Sequence, residues 1–265
     1  VVAPPSKSYT HRAIICASLA SGESIIRHPL ISEDASATIN ACIAFGSKIT
    51  RKRNDELVIT GTSGKIATPL QPINCLESGS TLRFLLPFAS LALNPITFTG
   101  KPSLAKRPIA GQLDALRQLG VTSHYNEKQG QLPVTITGKG KITGGKVVLP
   151  GNVSSQFISG LLFVLPLAEG DSTISLSTPC ESKEYVEMTI STLQDFGIKI
   201  EHSQDFLRYQ IPGKQKYLPC DYAVEGDYSS VAFLLAAGAL TGNVTVTNLK
   251  KDSKQGDKRI VEWLK

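Results

Sequence analysis

No Cys-x-x-Cys pair occurs in this sequence, and its five cysteines (Cys16, Cys42, Cys75, Cys180 and Cys220) are odd in number and widely dispersed. That excludes a disulfide framework and predicts free thiols in a reducing, cytoplasmic setting. The four histidines are scattered as well, so neither a metal site nor a metal cofactor is expected. No apolar run reaches the length of a membrane span. The most apolar stretch, Phe157 to Ala168, is short and interrupted by Pro166. No leader pattern is visible from Val1 onward. A long basic run with interleaved aromatics is also missing, so the formal charge of +6 predicts small acidic ligands and no nucleic-acid groove.

What is present is enough chain for a sizeable core. The 265 residues are 41% hydrophobic and 19% charged, the balance of a globular protein of one or two domains. The most informative stretch is Pro4-Pro5-Ser6-Lys7-Ser8-Tyr9-Thr10-His11-Arg12. The short apolar run Val1-Val2-Ala3 predicts a strand, the prolines a turn, and Ala13, Cys16, Ala17 and Ala20 a following helix. Ser6 or Ser8 would cap that helix. Lys7 at its mouth and Arg12 one turn inside would add fixed charge to free N–H groups and the helix dipole, a setting for a phosphate or carboxylate.

The chain repeats this device. Strand, turn and helix recur with anchor serines Ser8, Ser80, Ser155 and Ser230, at spacings of 72, 75 and 75 residues. The strands that open these units are expected at 1–3, 73–76, 147–149 and 222–224. A β-rich segment follows each helix, at 24–27, 96–99, 173–176 and 244–247. Second helices end at Gly46, Gly120 and Gly197, which act as stops, and strands are expected directly after them at 48–50, 121–123 and 198–200.

The predicted fold class is therefore α/β, of α+β character, built from tandem β-α-β-α-β-β units of about 75 residues. Three units would pack around a common axis into one domain, each burying an apolar helix face. A fourth unit stops early, so Lys265 is expected to be a partial end, with a hinge between Leu218 and Asp227.

Seven motifs in order carry a family resemblance. They are Pro5-Ser6-Lys7-Ser8 with Arg12, Ser78-Gly79-Ser80-Thr81-Leu82-Arg83, Lys106-Arg107-Pro108-Ile109, Gly151-Asn152-Val153-Ser154-Ser155-Gln156-Phe157, Ser182-Lys183-Glu184-Tyr185, Val224-Glu225-Gly226-Asp227 and Ser253-Lys254-Gln255-Gly256-Asp257. Nearly the whole chain resembles the enolpyruvyl transferase family. The resemblance implies two similar domains of three units each, of an inside-out α/β barrel type, with the site in the cleft between them. Residues 6–221 would form the complete domain, and 1–5 with 222–265 an incomplete portion of the second.

The resemblance further implies transfer of the enolpyruvyl group of phosphoenolpyruvate to the 5-hydroxyl of shikimate 3-phosphate, with release of phosphate. Lys7 would be the catalytic residue and would touch both substrates. Ser8, Arg12, Ser154, Ser155, Gln156 and Ser182, with Tyr185 as an addition, would hold shikimate 3-phosphate. Gly79, Arg107 and Gln156 would hold phosphoenolpyruvate. Arg83, Asp227 and the 255–257 loop read as structural. Glu77 stands where many relatives carry an amide, and beside two anions it would need a cation such as Arg83 to pair with. No cofactor, membrane or nucleic-acid partner is expected, and the protein is expected to be monomeric. The family's acid and base carboxylates come from later units, so this chain alone is expected to be inactive. Rival readings are transfer to a UDP-sugar, opposed by Lys7-Ser8 and by Ser154-Ser155-Gln156, an RNA-end-binding repeat protein, and a non-catalytic anion-binding scaffold.

Overall fold

The structure, a computed structural model, describes residues 1–53, 55–125 and 131–264. In chain order the elements are α1 (Lys7–Leu19), β1 (Glu23–Arg27), α2 (Glu33–Ala44), β2 (Lys48–Lys52), β3 (Glu56–Thr60), β4 (Ile73–Asn74), α3 (Gly79–Leu85) and β5 (Ile96–Thr99). Next come α4 (Pro102–Ala105), α5 (Ala110–Gln118), β6 (Thr122–Tyr125), β7 (Val134–Thr137), β8 (Gly145–Leu149), α6 (Ser155–Val164), β9 (Ser172–Leu176) and α7 (Lys183–Asp195). The last are β10 (Glu201–His202), β11 (Arg208–Ile211), β12 (Asp221–Ala223), α8 (Tyr228–Thr241) and α9 (Ile260–Trp263).

Three four-stranded sheets share one pattern, in the orders β12-β1-β3-β2, β4-β5-β7-β6 and β8-β9-β11-β10. The first pair in each is parallel and the other two are antiparallel. Among the described residues the three sheets remain separate and do not join into a closed barrel. Helices form the inside. From Tyr9 to Leu19, α1 is buried all round, as is α6 from Phe157 to Val164, which only an interior helix tolerates. Strands β3, β7 and β11 alternate between buried and more exposed residues, so each sheet shows one face to the helices and one to solvent.

The repeat is thus real, and the glycine stops lie where expected: Gly46, Gly120 and Gly197 take positive φ just after α2, α5 and α7. Four local expectations fail. Residues 1–3 do not open the first unit. Its first strand is β12, which arrives from the far end of the chain and pairs Ile25–Asp221, Ile26–Tyr222 and Arg27–Ala223. Val2 instead bridges Thr247, and Ala3 donates its N–H to the Thr247 carbonyl at 3.0 Å. Residues 244–247 therefore form no strand beyond that bridge, and the strand expected at 198–200 begins only at Glu201. Residues 222–223, which read as the start of a fourth unit, belong to the first sheet.

Beyond residue 224 the packing thins. Helix α8 buries only Tyr228 and Val231, while Phe233, Leu240 and Trp263 stand exposed. Ser6 N–H donates to Glu225 O at 2.8 Å, and the ion pairs Lys254–Glu187 and Arg259–Glu184, each at 2.8 Å, also tie this portion to the rest. Lys265 lies outside the described residues.

Candidate active site

The first turns of α1, α3 and α6 and the residue before α7 meet at one open cavity of about 420 Å³. Every residue singled out above for ligand contact lines it: Lys7, Ser8, Arg12, Gly79, Arg107, Ser154, Ser155, Gln156, Ser182 and Tyr185. Each helix start brings free backbone N–H groups and the positive end of a dipole. Their ends are finished differently. Ser78 caps α3 by accepting from Thr81 N–H at 3.0 Å, and Ser154 caps α6 by accepting from Gln156 N–H at 3.2 Å. In α1 the cap position is Ser6, but no side-chain cap bond forms. Ser8 sits inside the helix, so neither serine caps as expected. Ser182 holds a left-handed backbone at φ 58°, uncommon for a residue with a Cβ.

Arg12 is the most unusual group. It is buried, yet no carboxylate pairs with it among the described residues. Its Nε donates to Thr189 Oγ1, one Nη to Ser8 O and the other to Tyr185 O, all at 2.8 Å. The guanidinium lies 5.0 Å from the Phe84 ring centroid. Burial lowers its pKa to about 10, which leaves it charged at neutral pH. A buried charge held only by neutral acceptors is costly, and an anion in the cavity relieves that cost.

Lys7 reaches Asp34 at 3.1 Å. Arg107 is exposed, and its guanidinium runs over Gly79. A Cβ built on Gly79 would come within 2.8 Å of an Arg107 Nη. The absence of a side chain at position 79 is therefore what lets the cation lie along the start of α3. Gln156 is held at both ends: Arg83 donates to its Oε1 at 2.9 Å, and its Nε2 donates to Ser80 Oγ at 3.0 Å.

Behind the cavity runs a buried chain of hydroxyls. His11 Nδ1 meets Thr38 Oγ1 at 2.7 Å, Thr38 meets Thr81 Oγ1 at 2.7 Å, and Thr81 donates to Ser78 Oγ at 2.7 Å. This ties α1, α2 and the mouth of α3 together. Burial is the main cause that pulls the His11 pKa down to about 3, so the ring is neutral.

Glu77 does not behave as anticipated. It is exposed, accepts from Ser103 Oγ at 3.0 Å, does not line the cavity and makes no ion pair with Arg83. The carboxylates that do line it, Asp34 and Glu181, were not read from the sequence. Nor were Ser80, Phe84, Asn152 and Val153 as lining groups. A signal existed for Asp34: Ser32-Glu33-Asp34 is a capped, acidic helix start, and Ser32 Oγ accepts from Ala35 N–H at 3.2 Å. The cysteines stay clear of this site. Burial raises the thiol pKa of Cys42 and Cys75 to about 12 and raises that of Cys16 well above the ordinary thiol value, which leaves them poor nucleophiles.

Three helix-bearing repeats with their helix starts turned to one cation-lined cavity match an enolpyruvyl transferase fold. The enolpyruvyl transferase NikO from Streptomyces tendae shares that fold, with a TM-score of 0.68 at 17% identity, covering 93% of this chain and 56% of that one. A solved EPSP synthase from Acinetobacter baumannii overlays with a TM-score of 0.86 at 27% identity, covering 99% of this chain and 57% of that one.

The family profile for EPSP synthase (3-phosphoshikimate 1-carboxyvinyltransferase) matches residues 1–265, and the chain belongs to that family. A protein of Methanococcus maripaludis (strain C5) named 3-phosphoshikimate 1-carboxyvinyltransferase is 45% identical over 99% of this chain and 61% of its own length. A protein of the same name from Clostridium perfringens (strain SM101) is 41% identical over 98% of this chain and 60% of its own length. The chain thus spans about three-fifths of the length of the curated relatives it matches.

Proposed function

We propose that the protein transfers the enolpyruvyl group of phosphoenolpyruvate to the 5-hydroxyl of shikimate 3-phosphate, releasing phosphate, and that this cavity is its shikimate-side half-site. The observation that carries the reading is the gathering of Lys7, Arg12 and Arg107 with the starts of α1, α3 and α6 on one cavity. Both substrates are multiply anionic, and such a site binds them through charge-assisted hydrogen bonds. In this reading Ser154, Ser155 and the start of α6 take the 3-phosphate. Ser8, Arg12 and Ser182 complete the shikimate side. Arg107 and Gly79 take phosphoenolpyruvate, and Gln156 bridges the two ligands. Lys7 supplies the charge that stabilises the tetrahedral adduct as it forms.

The domain assignment is part of the same proposal. Residues 6–223 make one complete three-unit domain, and residues 1–5 and 224–264 a portion of a second. The second boundary is set at 223 in place of the expected 221, on the pairing of β12 with β1. The chain by itself binds shikimate 3-phosphate and does not turn it over. Titration calorimetry of the purified chain tests this directly. Saturable heat with shikimate 3-phosphate, weakened at least tenfold in Arg12→Met, is the expected result. A folded sample that gives no heat would overturn the assignment of the half-site, and phosphate release by the chain alone would overturn the proposed inactivity.

A further inference from the structure

We propose that Arg83 is a positioning residue that fixes which end of the Gln156 amide faces the cavity, and so makes this wall a row of hydrogen-bond donors. The proposal rests on the anion-binding reading of the cavity and adds to it a residue that does not line the cavity itself.

A guanidinium carries donors and no acceptor, so the group it meets on Gln156 must be the carbonyl oxygen. That contact is 2.9 Å from Arg83 Nη to Gln156 Oε1. The amide nitrogen is thereby turned to the other side, where Nε2 donates to Ser80 Oγ at 3.0 Å. Ser80 now has its oxygen engaged as an acceptor, and its own proton is left to donate. The relay runs in one direction: Arg83 to Gln156, Gln156 to Ser80, and the Ser80 hydroxyl and second Gln156 N–H to the cavity that both residues line. A ligand with acceptor oxygens fits this wall, and a ligand presenting donors does not.

Arg83 is well fixed for the task. Its other Nη donates to Pro108 O at 3.0 Å, directly beside Arg107, and its guanidinium lies 5.3 Å from the Phe157 ring centroid. It has no carboxylate partner among the described residues, and its buried Nε has no hydrogen-bond partner among them. Burial, and then the like charge of Arg107, lower its pKa from the ordinary arginine value. A half-buried cation set against another cation has a role in holding Gln156 and the 107–108 loop, and none as half of an ion pair.

A double-mutant cycle on the full chain tests it, with shikimate 3-phosphate affinity as the readout. Arg83→Met and Gln156→Ala are each expected to weaken binding about tenfold, the size of one charge-assisted hydrogen bond. The double variant is expected to bind within threefold of Gln156→Ala alone, and Arg83→Lys, which keeps a donor, to recover most of the loss. Additive losses would overturn the proposal, since Arg83 would then act independently of Gln156. A second readout needs no ligand. The Gln156 side-chain amide protons are expected to give two resolved NMR signals in the parent and to move toward the positions of a free glutamine amide in Arg83→Met. Unmoved signals would also overturn it. Absence of binding by the parent chain would count against the functional reading alone, and the amide signals would still decide the role of Arg83.

Discussion

His11 puts a proton count into the stability of the site. In the folded chain its burial holds the pKa near 3, whereas an unfolded histidine titrates near 6.5. Between those values the unfolded state binds more protons than the folded one, so stability falls as pH falls from about 6.5 toward 3. By pH 4.5 the linkage amounts to about 3 kcal/mol. Urea midpoints of the parent are therefore expected to drop between pH 7 and 4.5, and those of His11→Asn to drop less, by about that amount. Equal slopes would show that the His11–Thr38–Thr81 chain is not what acid disturbs. None of this was legible in the sequence, where His11 was one scattered histidine. Only the fold places Thr38, from α2, within 2.7 Å of its ring.

Among the elements, the repeat was readable because each unit reuses the same local chemistry: an apolar strand, a serine-bearing turn, a helix and a glycine stop. The anchor serines and the stops at Gly46, Gly120 and Gly197 needed no long-range information. The candidate site residues that came with them, Lys7, Arg107, Ser155 and Gln156, sit in turns or early helical turns. The cavity position of Asp34 and the Arg83–Gln156 contact escaped because they depend on which units face each other.

One further signal lay unread in the chain. The triplets Ile59-Thr60-Gly61, Ile136-Thr137-Gly138 and Ile211-Pro212-Gly213 recur just as each unit leaves its last strand. In all three the glycine presses onto carbonyls of the segment that leads out of that unit's first helix. A Cβ on Gly61 would lie 2.3 Å from Ala20 O, on Gly138 2.3 Å from Ala89 O, and on Gly213 2.4 Å from Gly170 O. The obstacle is backbone, which has little room to yield. Gly138→Ala is expected to destabilise the chain by about 2–3 kcal/mol in urea unfolding. Gly111→Ala, in α5 with nothing nearer than the Phe157 ring at 3.4 Å, is expected to be neutral or slightly stabilising. Similar losses for the two would mean that the close approach carries no cost.

At the scale of the molecule, the decisive feature is where the first sheet obtains its edge. Strand β12 is tied down by side chains as well as by its ladder. Arg27 clasps Asp221 through two contacts of 2.7 and 2.8 Å, and the Tyr222 ring lies 6.0 Å from that of Phe196. Removing residues 219–265 is expected to lower the melting temperature by far more than removing 229–265, because only the first cut bares the inner edge of β1. Equal losses would place the stabilising contribution in α8 instead. The sequence could not show this. A run such as Val1-Val2-Ala3 next to its helix is the economical choice of partner, and nothing local reports that a segment about two hundred residues away pairs better.

That choice of edge strand has a consequence for the order of events during synthesis. The second and third units carry their opening strands, β4 and β8, immediately ahead of their own helices, so each can close soon after it leaves the ribosome. The first unit emerges earliest, yet it must wait with an unsatisfied parallel edge until residue 223 is made. Loop closure over that separation is slow compared with the local pairings of the other two units. The portion that presents Lys7 and Arg12 is thus begun first and finished last, and a nascent chain stalled before β12 would expose β1 to whatever strand it met.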